Sequence, residues 1–182
     1  MKFEPIELID KRNRTIVLRS VGVADAADLI EYLRITATET PFLLREPDEV
    51  KMTIGEEERF IQSRIDSERE LMLVATINGK HVGSCSLMSV GSNTRYRHRC
   101  RVAIALYKEF CGVGIGTLMM RTILDVAKRC GYEQAELEVV SSNTTAIAMY
   151  QKLGFVKCGT LPNNMKYVDG SYANADIMVK ML

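Results

Sequence analysis

Apolar positions along the chain change their spacing several times, and each change marks an element. Arg14–Val21 alternates and predicts a strand, after which Val23, Ala26, Ala27, Ile30 and Leu33 share one helical face. Thr36–Gly55 contains Pro41 and Pro47 and keeps no period. Ile54, Ile61 and Ile65 with Phe60 then form a narrow apolar stripe on an otherwise charged helix ending near Glu70, the pattern of a surface helix. Leu71–Asn78, His81–Val90 and about Arg97–Leu106 predict three consecutive strands. Asn78-Gly79 supplies the first turn, and an antiparallel meander is the simplest arrangement.

Thr117–Cys130 is amphipathic, with Leu118, Thr122, Ile123 and Val126 at helical spacing and Lys128 and Arg129 in its last turn before Gly131. Gln134–Val140 predicts a strand, Asn143–Leu153 a helix closed by Gly154, Phe155–Leu161 another strand, and Ala175–Leu182 a last one. The order is β-α-α-β-β-β-α-β-α-β-β. It predicts an α/β fold with one mixed, mostly antiparallel sheet flanked by helices, and no repeat or low-complexity tract interrupts it.

Composition narrows the function. The 182 residues are 47% hydrophobic, enough for one buried core, and no linker divides them, so residues 1–182 are expected to form a single domain. Lys plus Arg number 24 against 23 for Asp plus Glu, and a net charge of +1 gives no global field that would draw in nucleic acid or an anionic membrane. The longest apolar run is Val102–Tyr107, and Met1–Asp10 mixes charges with Pro5 where a signal peptide needs an apolar core, so a cytoplasmic protein is expected. The five cysteines contain no C-x-x-C, and with only two histidines they predict neither a disulfide framework nor a metal site.

Residues Cys111–Gly116 read C-G-V-G-I-G and stand between an apolar strand and a helix. Such a turn aims unpaired N–H groups at one point, where the helix dipole also favours negative charge, and so holds phosphate. A Walker loop would need G-x-x-x-x-G-K-[ST], and no lysine precedes Thr117. The dinucleotide fingerprint needs a third glycine, which would fall on Thr117 or Met119. Glu136 and Glu138 do lie near the place of a ribose-binding carboxylate, but the strands that lead into the turn have no helices between them.

A second motif follows in S-N-T-T-A-I-A-M-Y-Q-K-L-G-F, Ser142–Phe155, where Ala146, Tyr150 and Leu153 share a helical face. The two motifs in this order resemble the GCN5-related N-acetyltransferase (GNAT) family, over about Leu71–Leu161. The resemblance implies a GNAT-like acyl-CoA N-acyltransferase fold and acetyl-CoA as the acyl donor, with CoA as product. The family pattern is Q/R-x-x-G-x-G/A; Gly114 and Gly116 match it, while Cys111 replaces Gln or Arg. That departure keeps the backbone cradle and removes a polar side chain near the phosphates. With no neighbouring His or Asn to activate it, the Cys111 thiol reads as a small residue tolerated there, not as a nucleophile.

By the same resemblance, the pyrophosphate lies on the amides of Gly112, Val113, Gly114, Ile115, Gly116 and Thr117, and the pantetheine arm pairs with the strand near Ile104 and Leu106. Asn143 matches the asparagine that bonds this arm, and is equally suited to cap the helix that follows. Tyr150 matches the tyrosine that protonates the leaving thiolate; a tyrosine on the inner face of a helix also serves packing alone. Leu137-Glu138-Val139 resembles the strand of ribosomal-protein members of the family, and Glu138 stands twelve residues before Tyr150, the spacing of their general base. Glu138 on a buried sheet face would be conspicuous, and its other reading is a glutamate paired with a basic group.

An amine with a lysine-like pKa of about 10.4 must lose a proton before it attacks the thioester, so a carboxylate or relayed water is required. A direct transfer to an amine of a small molecule or of a protein or peptide follows. Glu39, Glu46, Asp48 and Glu49 fall in the segment that builds the acceptor wall in the family, and either attract a cation or are merely solvated. Two other functions stay open, a non-catalytic acyl-CoA-binding module and a redox or nucleotide enzyme. A homodimer suits a chain of this size, though no sequence feature marks a contact surface.

Overall fold

A computed structural model describes residues 1–182. In chain order the elements are β1 (Ile6–Ile9), β2 (Thr15–Ser20), α1 (Ala26–Glu39), α2 (Ile54–Asp66), β3 (Leu71–Ile77), β4 (Lys80–Ser89), β5 (Arg99–Leu106), α3 (Ile115–Arg129), β6 (Gln134–Val140), α4 (Thr144–Lys152), β7 (Val156–Lys166) and β8 (Tyr172–Met181). The sheet has eight strands in the order β1-β2-β3-β4-β5-β6-β8-β7. β5 and β6 are parallel, because α3 carries the chain back between them, and the other registers are antiparallel. The mixed α/β architecture expected from the pattern is therefore the one found. The chain gathers into two compact units, Met1–Met88 with Ala103–Ile123 and Ser89–Val102 with Leu124–Leu182.

In the first unit, β1 pairs with β2 from Ile6↔Leu18 to Ile9↔Thr15. This strand was not expected, since its alternation lasts only four residues and lies among charges and Pro5. β3 and β4 form the hairpin read from Asn78-Gly79, whose φ angles of 50° and 78° suit a two-residue turn. Against this sheet, Leu29 and Tyr32 of α1 and Ile61 of α2 pack with Val21 and Val74, and Ala105 and Tyr107 join the cluster. α1 continues through Thr36–Glu39, which the sequence assigned to the aperiodic stretch. The Thr36 hydroxyl donates 2.7 Å to the Tyr32 carbonyl there and so needs no partner outside the helix.

α2 starts at a capping box, in which Thr53 accepts from the Glu56 amide at 3.3 Å and Glu56 accepts from the Thr53 amide at 2.8 Å. It ends at Asp66 rather than near Glu70. Of its expected stripe, Ile61 is buried and Ile65 packs at the margin, whereas Ile54 and Phe60 are exposed. Glu57, one turn before Ile61, is buried instead, and desolvation raises its pKa.

In the second unit, β6 pairs with β8 from Gln134↔Met181 to Val140↔Ala175, and β8 with β7. Both β7 and β8 run further into their hairpin than predicted, to Lys166↔Tyr172. Pro162-Asn163-Asn164 reads as a loop in sequence, but it sits in a register shift between Leu161 and Met165 that lets the strand resume. Asp176 is buried in this sheet and accepts from Ser141 Oγ at 2.7 Å, Thr160 Oγ1 at 2.9 Å and Lys157 Nζ at 2.8 Å.

Candidate functional site

In the first unit the candidate groups are in the backbone. Glycine and apolar residues alternate through Gly112-Val113-Gly114-Ile115-Gly116, and the structure uses each kind differently. Val113 and Ile115 are buried and tie the turn to the core from behind. Gly112 and Gly114 take φ of 76° and 95°, a region costly for other residues, and a Cβ on Gly112 would meet nothing within 4 Å. The turn is thus held on one side and open on the other.

No backbone hydrogen bond takes up the amides of Gly112, Val113, Gly114, Ile115, Gly116 or Thr117; the next amide, Leu118, donates to Gly114 at 3.1 Å. Cys111 differs from these six, because its amide donates to the Lys108 carbonyl at 3.1 Å. Its exposed thiol lies 3.6 Å from the Tyr107 carbonyl, and desolvation, then the Glu39 charge, raises its pKa, so it is not an activated nucleophile.

The strand that leads to the turn also offers backbone groups. Tyr107 donates to the Val82 carbonyl and Val90 to the Arg99 carbonyl, so the odd-numbered residues of β5 bond toward β4 and the even-numbered ones face away. The register of β5 with β6 stops at Arg101↔Glu136. Ile104 and Leu106 therefore carry N–H and C=O groups that no strand takes up. β5 is held from its other side: Tyr32, fully buried, donates 2.7 Å to the Ala105 carbonyl, and a Cβ at Gly83 would come 2.8 Å from that same oxygen.

Of the four acidic residues Glu39, Glu46, Asp48 and Glu49, two accept from backbone amides. Glu39 accepts from the Lys108 amide at 2.7 Å, and Glu49 from the Glu46 amide at 2.9 Å. Sequence reasoning missed Lys11, whose amide donates 2.9 Å to the Val113 carbonyl of the glycine turn. The signal was hidden because the β1–β2 hairpin was not foreseen.

In the second unit the candidate groups are side chains. Asn143 caps α4, its Oδ1 accepting from the Ala146 amide at 3.2 Å, which leaves its amide nitrogen available to a ligand. Tyr150, on the inner face of α4, is buried against Phe155 with ring centroids 5.8 Å apart. Desolvation pushes its pKa up to about 12, so the phenol remains a proton donor across the neutral range.

Of the two readings of Glu138, a lone carboxylate on a buried face and a glutamate beside a basic group, the surroundings match the second. Its side chain is 42% exposed and lies 3.8 Å from Arg101, while Glu136 two positions earlier is buried and bonded to Arg99 at 2.6 Å. Alternation puts Glu136 and Glu138 on one sheet face, where Arg99 and Arg101 give both a countercharge. No group of three or more His, Cys, Asp or Glu is placed to hold a metal ion, and no helix is long and apolar enough to cross a membrane.

The chain is similar to the L-amino acid N-acyltransferase MnaT of Escherichia coli, 26% identical over 91 residues, or 50% of this chain and 53% of that protein. It spans about half the length of the curated relatives it matches. Its fold matches that of a GNAT-family acetyltransferase from Streptococcus pneumoniae, with a TM-score of 0.87 and 27% identity, covering 92% of this chain and 99% of the other. It also matches a phosphinothricin acetyltransferase of Sinorhizobium meliloti solved in complex with AcCoA, with a TM-score of 0.80 and 20% identity over 92% and 88% of the two chains. The model of the acetyltransferase (GNAT) family covers residues 33–155, from the middle of α1 to just past α4, and the chain belongs to that family.

Proposed function

We propose that this chain is a cytoplasmic, acetyl-CoA-dependent N-acetyltransferase acting on a primary amine of a small molecule or of a protein or peptide, and that residues 1–182 work as one such domain. The observation that carries this reading is the row of unpaired amides from Gly112 to Thr117, open in front and anchored behind by Val113 and Ile115. Those donors suit a pyrophosphate. The free backbone groups of Ile104 and Leu106 suit the amides of a pantetheine arm, added as one more strand, and the Asn143 side-chain amide suits its carbonyls. Cys111 contributes its place in the turn and no charge.

Acetyl-CoA supplies an acyl group already activated as a thioester. The protein's part is to position it and to move two protons. An amine near pKa 10.4 arrives as an ammonium. Glu138, open to water and 3.8 Å from Arg101, takes that proton directly or through a water molecule. Tyr150 gives its hydroxyl proton toward the departing sulfur. Its burial favours that role, since a phenol in an apolar setting stays protonated until a stronger base appears beside it.

The test is CoA thiol release from acetyl-CoA with a panel of amines that includes amino acids, polyamines and peptide N-termini, run on the wild type and on Tyr150→Phe. Turnover on at least one amine, lost in the variant, is expected. Tight CoA binding without turnover on any amine would favour a non-catalytic acyl-CoA-binding module, and thermal stabilisation by NAD or ATP instead of CoA would overturn both.

A further inference from the structure

We propose that Lys11, at the tip of the β1–β2 hairpin, supplies the positive charge for the pyrophosphate that the glycine turn's own first residue, Cys111, does not. The inference rests on the reading of Gly112–Thr117 as the coenzyme's phosphate site.

Three features place Lys11 there. Its amide is bonded 2.9 Å from the Val113 carbonyl, which ties hairpin and turn together through the backbone. Its aliphatic stem crosses Gly114, where a Cβ would lie 3.3 Å from Cγ, 3.7 Å from Cδ and 3.6 Å from Cε. The ammonium is one bond beyond Cε, on an exposed side chain that makes no ion pair. The hairpin tip that presents it is rigid. Asp10 accepts from the amides of Arg12 and Arg14 at 2.9 Å each and is paired with the Arg14 guanidinium at 2.7 Å, and Asn13 completes the turn with a φ of 60°. Arg14 lies over the Phe110 ring, 5.3 Å from its centroid, so the base of the hairpin is held to the segment just before the glycine turn.

This neighbourhood has free donors and a cation, while its carboxylates are engaged, Glu39 by the Lys108 amide and Asp10 by Arg12 and Arg14. Six amides without partners and an unpaired ammonium over one glycine are matched by an anion with several oxygens. A lysine brought from a distant segment explains how the turn keeps a charge although Cys111 has none.

The experiment is calorimetric titration of the full chain with CoA and with dephospho-CoA, which lacks the ribose 3′-phosphate. Lys11→Met keeps the stem over Gly114 and removes the charge. It should weaken CoA binding about tenfold, and dephospho-CoA binding by the same factor, with an unchanged melting temperature. The salt dependence of binding should become shallower, and Cys111→Arg added to Lys11→Met should restore most of the loss. Equal affinity of wild type and Lys11→Met for both coenzymes would overturn the proposal. So would tighter binding by the variant, which would make Lys11 a cover over the turn, or a loss confined to CoA, which would move the contact to the 3′-phosphate. Failure of the wild type to bind either coenzyme would instead sink the phosphate site itself.

Discussion

The glycine turn with β5 and the β6–α4 segment differ in the groups they offer a ligand. In the first, the free groups are mainly amides and carbonyls, with the Lys11 stem across Gly114, and side chains such as Val113, Ile115 and Tyr32 are buried behind or bonded to the backbone. In the second, the backbone is occupied by the β6–β8 ladder and the helix, and the groups that Tyr150, Glu138 and Asn143 offer are side chains. A backbone site tolerates a change such as Cys111 for Gln or Arg, because its donors survive the substitution. A side-chain site depends on one atom and on its surroundings.

This contrast predicts which kinetic quantity each substitution moves. The largest effect belongs to Tyr150→Phe, which should lower kcat about a hundredfold while leaving the KM for acetyl-CoA near the wild-type value. A rise in KM with kcat unchanged would make Tyr150 a binding residue and break the contrast.

Asp176→Asn comes next and concerns stability. Hydrogen bonds from Lys157 and then Ser141 hold the Asp176 carboxyl below its ordinary range. A depressed folded value stabilises fully above the unfolded value near about 3.9, and that gain is lost as pH falls through the folded value. The variant should unfold about 2 kcal/mol more easily at pH 7, with the gap narrowing below about pH 4, as denaturant titrations at several pH values would record. A gap that widened on acidification would contradict the assignment.

Gly114→Ala should raise the KM for acetyl-CoA about tenfold with kcat preserved, because φ of 95° is strained for alanine and the new methyl would meet Lys11. A fall in kcat instead would place the turn's role in chemistry rather than in holding the coenzyme. Glu138→Gln should have the smallest effect. With an exposed carboxylate acting through water, a loss of about fivefold in kcat/KM, greatest at low pH, is expected from a pH–rate series. An unchanged profile would leave Glu138 as the structural partner of Arg101.

Much of the fold could be read from the sequence where local pattern and tertiary environment agree. The β3–β4 hairpin, α3, β6 and α4 stand at or near their expected bounds, since Asn78-Gly79, the basic last turn of α3 and the Asn143 cap are local signals. β1 was lost because four residues among charges carry no period, and the end of β7 because Pro162-Asn163-Asn164 resembles a loop until β8 pairs around it. The same division holds for the site. The amides of Gly112–Thr117 follow from glycine spacing alone. The approach of Arg101 to Glu138, the bond of Glu39 to the Lys108 amide and the approach of Lys11 to Gly114 depend on residues far away in sequence, and no local period encodes them.

The most direct test of the central claim follows the backbone amides of the isotope-labelled protein by NMR during titration with CoA. The resonances of Gly112, Gly114, Gly116 and Thr117 should shift earliest and furthest and saturate with one affinity, because their N–H groups acquire a charged acceptor. Saturable binding that left those amides in place while others moved would contradict the account.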